Sequence, residues 1–93
     1  MQRANAFLFA TALALAATPA VADFSFRFGD AVVTTGDSPA TVIHKAGRQP
    51  DRIVRLENRR GAAVGERWEY YLENKQVNFE IRDGRVVDIQ ELR

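Results

Sequence analysis

The sequence has no cysteine, one histidine and two serines among 93 residues. Without cysteine there is no disulfide, no thiolate metal ligand, no thiol nucleophile and no point of lipid attachment. The single histidine, His44, leaves only carboxylates to complete a zinc site, which needs three or four converging ligands. Neither Ser25 nor Ser38 stands in a nucleophile motif, and Ser38 reads better as a helix cap. Phosphate-binding loops are absent: Gly61-Ala62-Ala63-Val64-Gly65 has the wrong length and no lysine. Heptads, internal repeats and low-complexity tracts are missing as well. No catalytic residue, cofactor or metal is therefore expected.

Long apolar runs are nearly absent, and the exception is informative. Ala4 to Ala17 is apolar except for Asn5 and Thr11, about 14 residues against the roughly 20 of a bilayer span. Met1-Gln2-Arg3 precedes it as a short positive segment, and Pro19 breaks it. Ala20-Val21-Ala22 then supplies small residues at the two positions a signal peptidase reads. Residues 1–22 thus read as a cleaved signal peptide, and residues 23–93 as one small domain, exported to a bacterial periplasm and not lipidated. No stable membrane insertion is expected after cleavage. Arg3 carries the net charge of +1, so residues 23–93 balance 12 basic against 12 acidic side chains. That neutrality excludes a strongly basic nucleic-acid surface.

Within residues 23–93, apolar residues recur with period two. Phe24, Phe26 and Phe28 alternate with polar neighbours, Gly29-Asp30 forms a turn, and Ala31 to Thr35 returns as a second strand. Phe28 then faces Ala31, and Phe26 faces Val33. Asp37-Ser38-Pro39 starts a helix of about nine residues that ends at Gly47, with Val42, Ile43 and Ala46 on one side. Arg52 to Asn58 reads as a strand and Asn58 to Gly65 as a loop.

Trp68, Tyr70 and Leu72, then Val77, Phe79 and Ile81, alternate with polar residues as a hairpin. A turn at Asn74-Lys75 predicts the pairs Leu72–Val77, Tyr70–Phe79 and Trp68–Ile81, with Glu69 opposite Glu80 on the outer face. A three-residue loop Arg82-Asp83-Gly84 predicts Phe79 opposite Val87 and Val77 opposite Ile89. The fold class is α+β: an N-terminal β-hairpin, one short helix, then an antiparallel meander of three to four strands with the helix on its apolar face. Phe24, Phe26, Val42, Ile43, Trp68, Tyr70, Leu72, Val77, Phe79, Ile81, Val87 and Ile89 form the expected core.

The surface left over carries the functional expectation. Tyr71 points outward beside Arg67, and an exposed tyrosine flanked by arginine suits a partner contact. Arg59 and Arg60 add local basic density. Tyr71, Arg59, Arg60 and Arg67 are thus the candidate contact surface, for another envelope protein or an anionic envelope component. Homo-oligomerisation is a further expectation for so small a core. Glu66, Glu69 and Glu73 read as a solvated face rather than an acid–base pair.

One string is recognisable. Val32-Val33-x-x-Gly36-Asp37-Ser38-x-x-x-Val42, Gly47-x-x-Pro50, Trp68-x-Tyr70 and Phe79-x-x-x-x-Gly84-x-Val86 resemble a family of small secreted bacterial proteins of unknown function. More distantly, the pattern is similar to the SmpA/OmlA (BamE) group of outer-membrane assembly proteins. The resemblance implies a helix packed on an antiparallel sheet, with protein or lipid contact and no catalysis. SmpA/OmlA proteins carry a lipidated cysteine that this chain lacks. An alternative on the same fold is an inhibitor of an envelope-directed hydrolase; an enzyme using Glu66, Glu69 or Glu80 is the remaining one.

Overall fold

The computed structural model describes residues 20–93, with side chains from Phe24 onward. Most of the signal peptide expected at residues 1–22 therefore lies outside the described residues. Seven strands and one helix follow in the order β1 (Ala20–Asp23), β2 (Ser25–Phe28), β3 (Ala31–Thr34), α1 (Pro39–Ala46), β4 (Arg52–Glu57), β5 (Ala63–Leu72), β6 (Lys75–Arg82) and β7 (Arg85–Leu92). Strands β4 to β7 form an antiparallel meander, and β1 pairs with β7 to complete a five-stranded sheet ordered β1-β7-β6-β5-β4. Strands β2 and β3 form a separate hairpin. The α+β class and the antiparallel meander are as expected.

Local chemistry explains the first half. Gly29 takes φ +60° in the turn, and Phe26 pairs with Val33 and Phe28 with Ala31, as alternation requires. Ser38 caps α1 by accepting the Thr41 amide at 3.2 Å, and Pro39 fills the first turn, where its missing amide costs nothing. Gly47 ends the helix in the left-handed conformation, its amide bonded to the Ile43 carbonyl. Asp37 ties the joint between hairpin and helix. Its carboxylate accepts the Thr34 amide at 2.9 Å and Lys45 Nζ at 3.1 Å, while Lys45 also donates to the Val32 carbonyl. The joint is clamped to the far end of the chain: Gly36 donates its amide to the Val86 carbonyl, and Val86 donates its own to the Asp37 carbonyl.

The core lies between the hairpin and the meander. Phe26, Val33, Val42, Trp68, Tyr70, Val77, Phe79, Ile81, Val86 and Ile89 are buried, with Phe28, Ile43, Ala46 and Leu72 packed against them. The hairpin supplies the rings that lie on the sheet. Phe28 meets Tyr70 edge-on at 5.3 Å between centroids, and Phe26 meets Phe79 at 6.4 Å. Helix α1 adds Val42 to the same cluster.

Three expectations are corrected. The β5–β6 turn is Glu73-Asn74, so Leu72 pairs with Lys75, Tyr70 with Val77 and Trp68 with Phe79. A shift of two residues keeps every side chain on its own face, so the apolar pattern could not detect it. Lys75 is held in the strand by Glu91 at 2.8 Å and lies 5.4 Å over the Phe26 ring. In this register Glu80 faces Arg67 and Glu69 faces Asn78, which removes the like-charge pair expected between Glu69 and Glu80.

The β6–β7 turn holds two residues, not three. Asp83 and Gly84 both have positive φ, +50° and +73°, the signature of a type I′ turn whose twist suits a hairpin. The extra residue lies inside β7. Ile81 pairs with Val86 and Glu80 with Asp88, so Val87 is a bulge. Phe79 therefore faces Ile89 and Val77 faces Glu91. The bulge turns Val86 into the core and leaves Val87 47% exposed, the reverse of the expectation for Val87. Phe24 is the third correction. It is 84% exposed, because the hairpin begins at Ser25 and Phe24 lies in the bend between β1 and β2.

Candidate functional site

With the hairpin rings on one face, the other face of the sheet is polar. Reading across the strands, Arg52, Glu69, Asn78 and Gln90 form one row; Val54, Arg67, Glu80 and Asp88 form the next; Tyr71, Gln76 and Leu92 form a third. Only one charged side chain among the described residues is buried, and it is on this face: Glu69, 5% exposed. Its neighbours two residues away on β5 point the same way and close over it. Tyr71 donates its hydroxyl to Glu69 Oε1 at 2.7 Å, and Arg67 Nε donates to Oε2 at 2.9 Å. Both carboxylate oxygens are therefore satisfied, as a buried charge requires.

Burial pushes the Glu69 carboxyl upward, but the Tyr71 and Arg67 hydrogen bonds and the charges of Arg67 and Arg52 outweigh it and hold it below its ordinary 4.5. The Tyr71 phenol moves up, chiefly because its proton is held by Glu69. Sequence reasoning placed Glu69 on a solvated face and missed its burial. The available signal was the tyrosine and arginine flanking it at spacing two.

A second set of bonds anchors the same end of β5. Asp51 donates its amide to the Glu69 carbonyl at 2.8 Å, and its carboxylate accepts the Tyr71 amide at 2.7 Å. Arg48 bonds Asp51 at 2.9 Å, reaches the Tyr71 carbonyl at 3.2 Å and lies 5.3 Å over the Tyr70 ring. Tyr70 donates its hydroxyl to the Arg48 carbonyl at 3.0 Å, and its burial pushes the phenol up to about 12. The Tyr71 backbone is thereby fixed on both its amide and its carbonyl, while the residue stays 47% exposed.

The expected contact residues fall into two places. Tyr71 and Arg67 share the Glu69 carboxylate. Arg59 and Arg60 lie in the β4–β5 loop at the opposite end of β5, where Asn58 accepts the amides of Arg60 and Ala62 on its side-chain oxygen. Eight residue steps along the strand separate Ala63 from Tyr71, roughly 26 Å at 3.3 Å each. The loop is also shorter than expected, since Ala63 to Gly65 belong to β5.

The remaining chemical candidates are dispersed. His44 is exposed in the last turn of α1, and no group of three or more metal-ligating side chains occurs among the described residues. Glu66 accepts the Trp68 indole at 2.9 Å. It borders an open groove of about 430 Å³ on the core side, together with Pro39, Arg55, Ile81 and Asp83. A smaller depression of about 110 Å³ on the polar face is bordered by Arg67, Glu80 and Asp88.

The carboxylates give the fold a definite acid response. Asp37 is pushed up by burial but is pulled below its ordinary 3.8 by the Thr34 amide and Lys45. Glu91 is held below 4.5, first by Lys75. For Asp37, Glu69 and Glu91 the folded value is below the unfolded one, so each stabilises the fold above its unfolded pKa and loses that contribution as pH falls through its folded pKa. The urea midpoint is expected to hold above about pH 5.5 and to fall progressively below about pH 4.5. The fall should be shallower in a Glu69→Gln variant. A midpoint that rises on acidification contradicts this assignment.

Comparison with protein-family models, with curated proteins and with solved structures returns no match for this chain.

Proposed function

We propose that the protein is an exported periplasmic binding module, SmpA/OmlA-like in character, that engages another envelope protein or an anionic envelope component through the polar face of its sheet. The leader at residues 1–22 supports the location. Helix and hairpin close one face of the meander, and the opposite face is left for contact. The observation that carries the reading is Tyr71. Its ring is half exposed, while its hydroxyl and both backbone groups are already held by Glu69, Asp51 and Arg48. An aromatic ring immobilised before contact loses little conformational freedom on binding, which is what makes such residues effective anchors. Arg67 stands beside it, and Arg59 and Arg60 extend basic character to the far end of the same strand. Catalysis is disfavoured because the two best-placed carboxylates are engaged, Glu66 by Trp68 and Glu69 by Tyr71 and Arg67.

In-cell photo-cross-linking from position 71, with position 44 as control, tests the proposal. Position 71 is expected to capture an envelope component that position 44 does not, and capture should drop at least about tenfold in an Arg67→Glu background. Equal capture from both positions, or none from either, refutes the reading.

A further inference from the structure

Strand β1 lies antiparallel along β7, with Ala20 against Leu92, Val21 against Glu91, Ala22 against Gln90 and Asp23 against Ile89. The same four residues contain the leader's processing sequence: Ala20 and Ala22 occupy the two small positions, and the scissile bond joins Ala22 to Asp23. Two uses compete for one stretch of backbone. A peptidase must take the chain as an extended strand, matching its amides and carbonyls with its own. In the folded chain β1 is the outer strand of the sheet, and the groups on its inner side belong to a ladder with β7.

We infer that folding closes the processing site, so that cleavage occurs only while β1 is off β7. This deepens the proposed function and rests on its leader. The cover has two parts, on either side of the Val87 bulge. The edge of β7 is held at Val86 by the clamp to Gly36 and Asp37, and at Ile89 to Leu92 by β1. The segment to be cut is therefore laid along the sheet and is not an overhanging tail. Cleavage adds one water across the Ala22–Asp23 peptide bond, leaving a carboxylate on Ala22 and an ammonium on Asp23. It also strips Gln90 to Leu92 of their strand partner. Among the described side chains, every residue of the buried core lies between Phe26 and Ile89, C-terminal to the scissile bond.

The test uses the full chain and a purified bacterial signal peptidase in detergent micelles. One sample is folded before the peptidase is added; the other is diluted from urea directly into it. Cleavage after Ala22 is expected to be at least about tenfold slower in the folded sample, because the peptidase must wait for β1 to open. Hydrogen exchange of the folded chain should show protection at those amides of residues 20–23 that face β7. A Glu91→Pro substitution, which breaks the pairing with Val21 and also that with Val77 but leaves the cleavage sequence untouched, should restore fast cleavage of the folded sample. Equal rates in the two samples, or free exchange at residues 20–23, overturns the inference while leaving the leader intact. No cleavage after Ala22 in the urea-diluted sample removes the leader, and the inference with it.

Discussion

Replacing Phe79 with alanine abolishes cooperative unfolding of this domain at room temperature. Phe79 is fully buried in β6, and its ring lies 5.8 Å from Tyr70, 6.0 Å from Phe28 and 6.4 Å from Phe26. With Tyr70, it is one of the two meander rings that meet the hairpin. Truncating a buried phenylalanine costs about 3–5 kcal/mol, the lost transfer energy plus the cavity left behind. A core of this size rarely supplies more than about 3–5 kcal/mol in total. The two figures are equal, so the folded state loses its margin. Trp68 fluorescence followed through a urea titration should give a sloping line where the unmodified chain gives a sigmoid. Phe79→Leu, which keeps most of the volume, should retain the sigmoid at a lower midpoint. A wild-type transition in Phe79→Ala means that the two layers are joined elsewhere.

The second large effect comes from a side chain that is not there. Gly65 lies in β5, and a Cβ built on it would stand 2.6 Å from the Ile81 carbonyl oxygen and 2.8 Å from Arg82 Cγ. The arginine carbon can move aside. The carbonyl cannot, because Ile81 is paired with Glu66 on one side and Val86 on the other. Any side chain at position 65 must push β5 and β6 apart at the strand end that carries the Asp83-Gly84 turn. Gly65→Ala should cost about 2 kcal/mol and Gly65→Val about 3 kcal/mol, the upper range for overpacking. Urea midpoints at unchanged slope measure both. A Gly65→Ala chain as stable as the original refutes this close approach of β5 and β6.

These two residues also mark how far the amino-acid sequence could be read. Phe79 was legible, because alternation assigns each residue of β6 to a face and that assignment survives any shift of two. The turn itself was not. Glu73-Asn74 and Asn74-Lys75 put the same residues inside, and what separates them is Lys75, whose partners Glu91 and Phe26 are remote in sequence. Val86 and Val87 were exchanged for a related reason. A bulge is one residue without a partner, and pattern alone puts it at the turn as readily as inside the strand. At the candidate site, the outward direction of Tyr71 and the nearness of Arg67 followed from spacing two on one strand. Glu69 did not follow, since a carboxylate on an outward position counts as solvated until its flanking side chains are known to fold over it. Arg59 and Arg60 were grouped with Tyr71 by sequence proximity to the strand, and the length of β5 separates them.

The clamp between Gly36, Asp37 and Val86 closes a loop of some fifty residues. Closing a loop that long is slow relative to forming a local hairpin, and it waits for the last strand to exist. Strand β1 waits for the same strand. A chain that crosses a membrane N-terminus first thus delivers its cleavage sequence well before it delivers Val86 to Leu92. For the proposed leader, the order of emergence opens a time window in which it is accessible and the domain is unable to fold over it. Its length is set by the translocation of some seventy residues, the distance from Ala22 to Leu92.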